Sequence, residues 1–266
     1  MHRLVRKIRS YYLRWKYRGA PVIVQTEFLG CQLLVRANEV VGQSILLNNF
    51  EIEDLRYLQS QVRDGDVIFD VGANTGAYSL ALGKMRKNLR VHAFEPVPLN
   101  AQILRLVVVL NKAGNIKVIE KCVSKNSGEV TFSLSEDSAY SSMINTGRKA
   151  EIEVLKCEAI SLDDYCSANQ ILRVDLVKVD VEGAEELVIA GAARLFSDAS
   201  RKPRLVLIEL YDQNLNAFST SIEKINGVMR GHDYSPFVFE HSRLVGFEPR
   251  HFNKYYNVFF KLNGQA

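Results

Sequence analysis

Residues 66–80 form an apolar strand that carries Asp70, breaks at Gly72-Ala73-Asn74-Thr75-Gly76 and restarts as a helix near Ala77. A strand, a tight loop and a helix in that order aim backbone N–H groups and the positive end of a helix dipole at whatever lies above the strand end. This unit commits the chain to α/β architecture with a ligand site at the carboxyl edge of a sheet.

The downstream pattern agrees. Strands are expected at 66–71, 90–94, 116–120, 174–180, 205–210, 234–239 and 256–261, with helices near 77–86, 98–112, 184–196 and 219–230. Continuous apolar runs such as Leu205-Val206-Leu207-Ile208 suit a sheet covered on both faces, so the sheet is expected to be mostly parallel with right-handed crossovers. The rhythm breaks between the third and fourth of these strands. Glu129 to Leu134 and Glu151 to Cys157 alternate like paired strands around a polar loop, Ser135 to Lys149, which reads as a β-insertion. Upstream, Val22 to Val24 and Cys31 to Val35 are expected as short strands. Glu51 to Val62 is expected as a helix with Ile52, Leu55, Leu58 and Val62 inward. The chain therefore divides into a basic N-terminal helix (1–20), a lead-in of strands and helix (21–63) and a ligand-binding domain (64–266).

Residues 1–18 hold seven Lys or Arg and no acid, so the formal charge of +4 belongs to the tail and the remainder carries −3. A mildly acidic body argues against a nucleic-acid groove. In the tail, Leu4, Ile8, Tyr11 and Trp15 make one stripe of an amphipathic helix. It has two readings: peripheral contact with an anionic membrane face, or a helix docked on its own domain. Cys31, Cys122, Cys157 and Cys166 show no paired or metal-type spacing, which fits free thiols in a reducing, cytoplasmic setting. No apolar run is long enough to span a bilayer and no secretory signal is visible, so contact at the inner membrane face would be peripheral.

The loop itself narrows the ligand. A dinucleotide fingerprint places its second glycine where this chain has Asn74; only Gly72 and Ala77 fit. Asn tolerates positive φ, so the sharp turn survives, but the open space against a diphosphate is lost. Val91-His92-Ala93-Phe94-Glu95-Pro96 then ends a second strand in an acid able to accept hydrogen bonds from ribose hydroxyls. A third motif, Lys178-Val179-Asp180-Val181-Glu182-Gly183-Ala184-Glu185, delivers Asp180 to the edge where doubly wound sheets bind ligands. Glu182 and Glu185 follow, either capping the next helix or working on a substrate.

These motifs in this order resemble the FkbM-type methyltransferases, S-adenosylmethionine-dependent enzymes of the class I methyltransferase Rossmann-like fold. The resemblance covers roughly residues 50 to 262, with Ala159-Ile160-Ser161-Leu162-Asp163-Asp164-Tyr165 and Leu207-Ile208-Glu209 as weaker features. It implies methyl transfer to a hydroxyl of a sugar, glycan or glycosylated natural product. Implied cofactor contacts are Asp70, Gly72, Ala73, Asn74, Thr75 and Gly76 toward methionine, Glu95 toward ribose, Val123 and Ser124 toward adenine, with Tyr78, Pro96 and Asp180 as further contacts. A departure is Cys122-Val123-Ser124, where the family more often has a small alanine.

An alcohol acceptor needs a base. Asp180, Glu182 and Glu209 are the leading candidates, with His232, His241 and His251 behind them. A divalent metal held by Asp180 and Glu182 is an alternative route to the same end. Tyr140, Ser141 and Ser142, on the polar loop, are candidates for acceptor contact. Two other functions stay open at this point: an NAD(P)-dependent oxidoreductase, disfavoured by Asn74 and by the lack of a Tyr-x-x-x-Lys type pair, and a non-catalytic homologue.

Overall fold

The computed structural model describes residues 12, 15–17, 22–148 and 150–264. Most of the expected N-terminal helix therefore lies outside the described residues. Strands β1 (Ile23–Phe28) and β2 (Cys31–Arg36) pair as an antiparallel hairpin, followed by helices α1 (Val40–Leu46) and α2 (Ile52–Gln61). The main sheet takes β3 (Val67–Val71), β4 (Arg90–Phe94), β5 (Ile116–Ile119), β9 (Leu176–Val179), β10 (Leu205–Glu209), β11 (Tyr234–Glu240), β12 (Arg243–Gly246) and β13 (Asn257–Leu262). Their spatial order is β12-β11-β13-β10-β9-β3-β4-β5. The five strands from β10 to β5 are parallel, and β13, β11 and β12 add antiparallel pairings at one side. The direction in which strands are added reverses between β3 and β9, so the crevice at their carboxyl ends is the topological switch point.

Strands β3, β9 and β10 are buried on both faces, as continuous apolar runs require. One face is covered by α3 (Ala77–Gly83), α4 (Pro98–Leu110), α2 and the β1–β2 hairpin. The other carries α5 (Leu162–Ala168), α6 (Glu185–Ala190), α7 (Ala193–Ser197), α8 (Asp212–Ala217) and α9 (Ile222–Gly231). The lead-in is tied to this frame by polar bonds as well as packing. The Asn111 side chain, beyond α4, accepts from the Gln32 amide at 2.9 Å and donates to its carbonyl at 2.6 Å.

The β-insertion stands where it is expected: β6 (Cys122–Val123), β7 (Gly128–Ser135) and β8 (Glu151–Ile160) form a separate sheet in the order β6-β8-β7. Other expectations change. The single helix at 184–196 is two helices, α6 and α7, broken at Gly191-Ala192. A side chain at Gly191 would meet the Ser124 carbonyl at 2.1 Å. The Asp163 carboxylate caps the second helix through the Arg194 and Leu195 amides, at 2.8 and 3.0 Å. Helices α1, α5 and α8 and strand β12 carry patterns too short to show a period in the sequence.

Candidate active site

The loop after β3 approaches β9 so closely that only glycine fits at its first position. Gly72 has φ +76°, and a Cβ there would sit 1.8 Å from the Asp180 carbonyl oxygen. Asn74 takes a left-handed conformation, φ 45°, as its sequence position requires. The turn is held from the next strand over: the Asn74 amide donates to Glu95 Oε2 at 2.8 Å, and Val97 N–H and the Asn100 side chain donate to Oε1 at 3.0 and 3.3 Å. Burial pushes the Glu95 carboxyl up to about 6 despite these donors.

Beneath the loop runs Lys178, a buried lysine in the middle of an apolar strand. Its Nζ donates to the Gly72 carbonyl at 2.8 Å and lies 3.2 Å from Asp180 and 3.7 Å from Asp70. Burial works against the ammonium, but Asp180, Asp70 and Glu51 outweigh it and hold its proton more tightly than usual. Asp70 is fully buried, accepts from Ser79 Oγ at 2.6 Å, and leaves its other oxygen without a hydrogen bond.

Above this base lies a cleft of about 300 Å³. Of the expected cofactor residues, Gly72, Ala73, Asn74, Thr75, Tyr78, Glu95, Pro96, Val123 and Asp180 line it; Asp70, Gly76 and Ser124 do not. Asp70 is corrected from a ligand contact to an anchor under the loop, because its side chain is spent on Ser79 and Lys178. Gly76 is turned toward Leu104, whose Cδ1 a Cβ would meet at 2.2 Å, and the Ser124 carbonyl packs on Gly191.

Asp180, Glu182 and Glu209 all face the cleft, with carboxylate oxygens within 4.8 Å of one another. Glu182 sits at φ 56°, a strained turn pinned by Ser142 Oγ, which donates to the Val181 and Glu182 carbonyls at 3.2 and 2.9 Å. Ser142 therefore supports the turn from behind, while Tyr140 and Ser141 reach the cleft. Glu182 pairs with Arg148 at 2.8 Å and accepts from the Asn214 amide. Its carboxyl is pushed up to about 8 by burial and by the neighbouring Asp180 charge. Glu209 is held well above the usual range by burial and then by Asp180, Glu182, Glu51 and Glu185. Glu185 takes the capping role, accepting from the Val181 and Gly183 amides at 3.1 Å each.

The histidines are corrected away from the site. His232 ends α9 against Phe196, His241 turns β11 into β12, and His251 is buried in a capping box with Glu248. None of the three lines the cleft.

Sequence reasoning missed three contributors. Lys178 had a signal, a charge inside an apolar strand. Arg148 had none: it comes from the polar loop and lies over the Tyr140 and Tyr211 rings at 4.3 and 4.6 Å. Glu51 starts α2 at φ 40° and accepts from Tyr78 Oη at 2.5 Å, with its carboxyl pushed up by burial to about 7. The cleft is roofed jointly by the insertion and the lead-in, joined where Asp137 accepts from the Val40 amide at 2.9 Å and Ser138 donates to Glu39 at 2.6 Å.

The excess of buried acids has a measurable consequence. Glu95, Glu51, Glu185 and Glu182 have folded-state pKa values of about 6, 7, 7 and 8, all raised. Between the unfolded value near 4.3 and those values, the folded chain holds more protons than the unfolded one, so stability falls as pH rises. We expect the melting temperature of the ligand-free protein to drop steadily from pH 5 to pH 8.5. A flat or rising curve across that window would refute the assignment of these groups.

The description "Methyltransferase FkbM domain" belongs to the family model that matches residues 70–236. Over 238 residues the chain is 25% identical to the 31-O-demethyl-FK506 methyltransferase FkbM of Streptomyces tacrolimicus, covering 78% of this chain and 88% of that one. It is 26% identical over 194 residues to the hexuronic acid methyltransferase AglP of Haloferax volcanii, covering 72% and 75%. It is likewise 26% identical over 163 residues to the 2-O-methyltransferase NoeI of Sinorhizobium fredii, covering 56% and 65%.

Proposed function

Because the chain belongs to the FkbM methyltransferase family, we propose that it transfers a methyl group from S-adenosylmethionine to a hydroxyl of a sugar or glycosylated natural product. The family sets aside the oxidoreductase alternative. The observation that carries the cofactor choice is the carboxyl-rich lining of the cleft. Five carboxylates (Glu51, Glu95, Asp180, Glu182 and Glu209) face three cations (Lys121, Lys178 and Arg148). A wall so rich in carboxyl oxygens offers acceptors to the ammonium and hydroxyls of a sulfonium cofactor and few donors to a pyrophosphate. The donor set fits the rest of the cofactor: Glu95 for the ribose hydroxyls, and Val97, Cys122, Val123, Phe132 and Met143 as an apolar wall for adenine.

S-adenosylmethionine supplies an electrophilic methyl on a positively charged sulfur. The chain's task is to place the acceptor oxygen in line and to take its proton. Asp180 is fixed by Lys178 and Glu182 by Arg148 and Asn214. Glu209, which meets no cation at ion-pair distance among the described residues, is the group we assign as base. Protein cations already meet the charge of two of the three acids, which favours a proton-accepting role over ligation of a metal.

No helix among the described residues is long and apolar enough to cross a membrane. A peripheral role for the basic tail stays a proposal resting on its stripe alone.

The test is calorimetric titration with S-adenosylhomocysteine, with NADH in parallel. We expect micromolar affinity for the first and none for the second. Gly72→Ala should abolish binding, because its Cβ would strike the Asp180 carbonyl. Glu95→Ala should weaken it by at least tenfold. Tighter binding of NADH, or unchanged affinity in both variants, would overturn the reading.

A further inference from the structure

A second cavity, about 470 Å³, lies along the carboxyl edge of the sheet where β10 meets the start of β13. It shares Asn49, Glu51 and Glu209 with the first cleft, so the two spaces meet at the proposed base. Its wall is acidic: Glu51, Glu53, Asp54 and Glu209 are faced by one cation, Lys254. Tyr256 adds an aromatic side chain that is 41% exposed and braced edge-on by Tyr211, with ring centroids 5.0 Å apart.

We propose that this cavity is the acceptor subsite, and that it takes an uncharged or amino-bearing saccharide rather than one carrying a carboxylate or phosphate. The inference rests on the methyl-transfer reading above and deepens it. Burial holds protons on Glu51 and Glu209, so the charge of this wall comes from the acids at the start of α2. Ionised carboxylates are pure hydrogen-bond acceptors that need donors from the ligand, and hydroxyl and ammonium groups supply them. The protein itself supplies one donor each to three of the wall's acids: Asp54 accepts from the Asn257 side-chain amide at 2.9 Å, Glu53 from Ser242 Oγ at 2.5 Å and Glu51 from Tyr78 Oη at 2.5 Å. Burial pushes Asp54 up to about 6, the mark of a carboxylate short of compensation. A sugar laid on Tyr256 meets that ring with its C–H face and the acids with its hydroxyls. An anionic ligand would instead add like charge to a wall that carries a single lysine. Sharing Glu209 between the cavities brings a hydroxyl of the bound ring to the base.

The experiment is saturation-transfer NMR on the full chain with S-adenosylhomocysteine bound, using the methyl glycosides of glucose, glucosamine and glucuronic acid as probes. Expected are signals from the first two and none from the glucuronide. The double variant Glu53→Gln with Asp54→Asn should raise glucuronide affinity by about tenfold while leaving S-adenosylhomocysteine affinity unchanged, which also shows that it is folded. A glucuronide that binds the unaltered protein as well as the glucoside overturns the proposal. Binding of none of the three while S-adenosylhomocysteine binds overturns it too, and leaves the cofactor reading intact. Failure of S-adenosylhomocysteine itself to bind sinks the cofactor reading, and this proposal with it.

Discussion

We expect Glu209→Gln to lower kcat by roughly 10²- to 10⁴-fold, the usual range for loss of a positioned general base, with S-adenosylhomocysteine affinity nearly unchanged. Of the three clustered acids, Glu209 faces both cavities, whereas Asp180 is engaged by Lys178 and Glu182 by Arg148 and Asn214. The pH profile sharpens the test. A base works deprotonated, and both Glu182, at about 8, and Glu209 have raised values, so kcat should climb as pH rises through the neutral and mildly alkaline range. The Glu182 charge helps to raise Glu209. Glu182→Gln should therefore retain measurable turnover and move the rising limb to lower pH. A Glu209→Gln enzyme with wild-type kcat would remove the assignment, as would a Glu182→Gln limb displaced upward.

Replacing Lys178 with methionine should cost about 3–5 kcal/mol of stability, the penalty for stranding a buried charge, and lower the melting temperature by about 10 °C. The size follows from what Lys178 touches. It is the cation beside the inward oxygen of Asp70, which has no hydrogen bond, and its removal also strips a donor from the Gly72 carbonyl. Cofactor affinity should fall with stability, since the same ammonium ties the loop to β9. Thermal denaturation of Lys178→Met beside Lys178→Met/Asp70→Asn separates the causes. If stranded charge is the main cost, the second change recovers a good part of the loss. An unshifted melting temperature in the single variant would show that the ammonium holds nothing.

The frame of this molecule is legible in its sequence because periodicity reports burial on one element at a time. Continuous apolar runs at β3, β9 and β10 announce a two-faced sheet, and alternation at β7 and β8 announces a sheet with one wet side. The loop is legible for a related reason: Gly72 and Asn74 occupy left-handed backbone that few residues adopt. The cleft is a different kind of object. Arg148, Glu51 and Glu182 lie in a polar loop, a helix start and a turn far apart in the chain, and nothing local marks their meeting. Asp70 illustrates the opposite difficulty. Its place in the motif is plain, yet pointing up to a ligand or down to a lysine depends on Lys178, 108 residues later. The expected helix at 184–196 fails because its break is imposed from outside, by the Ser124 carbonyl and the Asp163 cap.

The seam between Asp137 and the Val40 amide constrains how the roof over the cleft can be exchanged. The cofactor side is built from sheet ends, and the covering side from two segments nearly a hundred residues apart that lean on each other. Grafting a foreign 128–160 segment alone would separate Asp137 from the amide it holds and Ser138 from Glu39. A transplant that keeps the cover closed has to carry residues 37–51 with it, so the roof over the cleft can be exchanged only as a matched pair of segments.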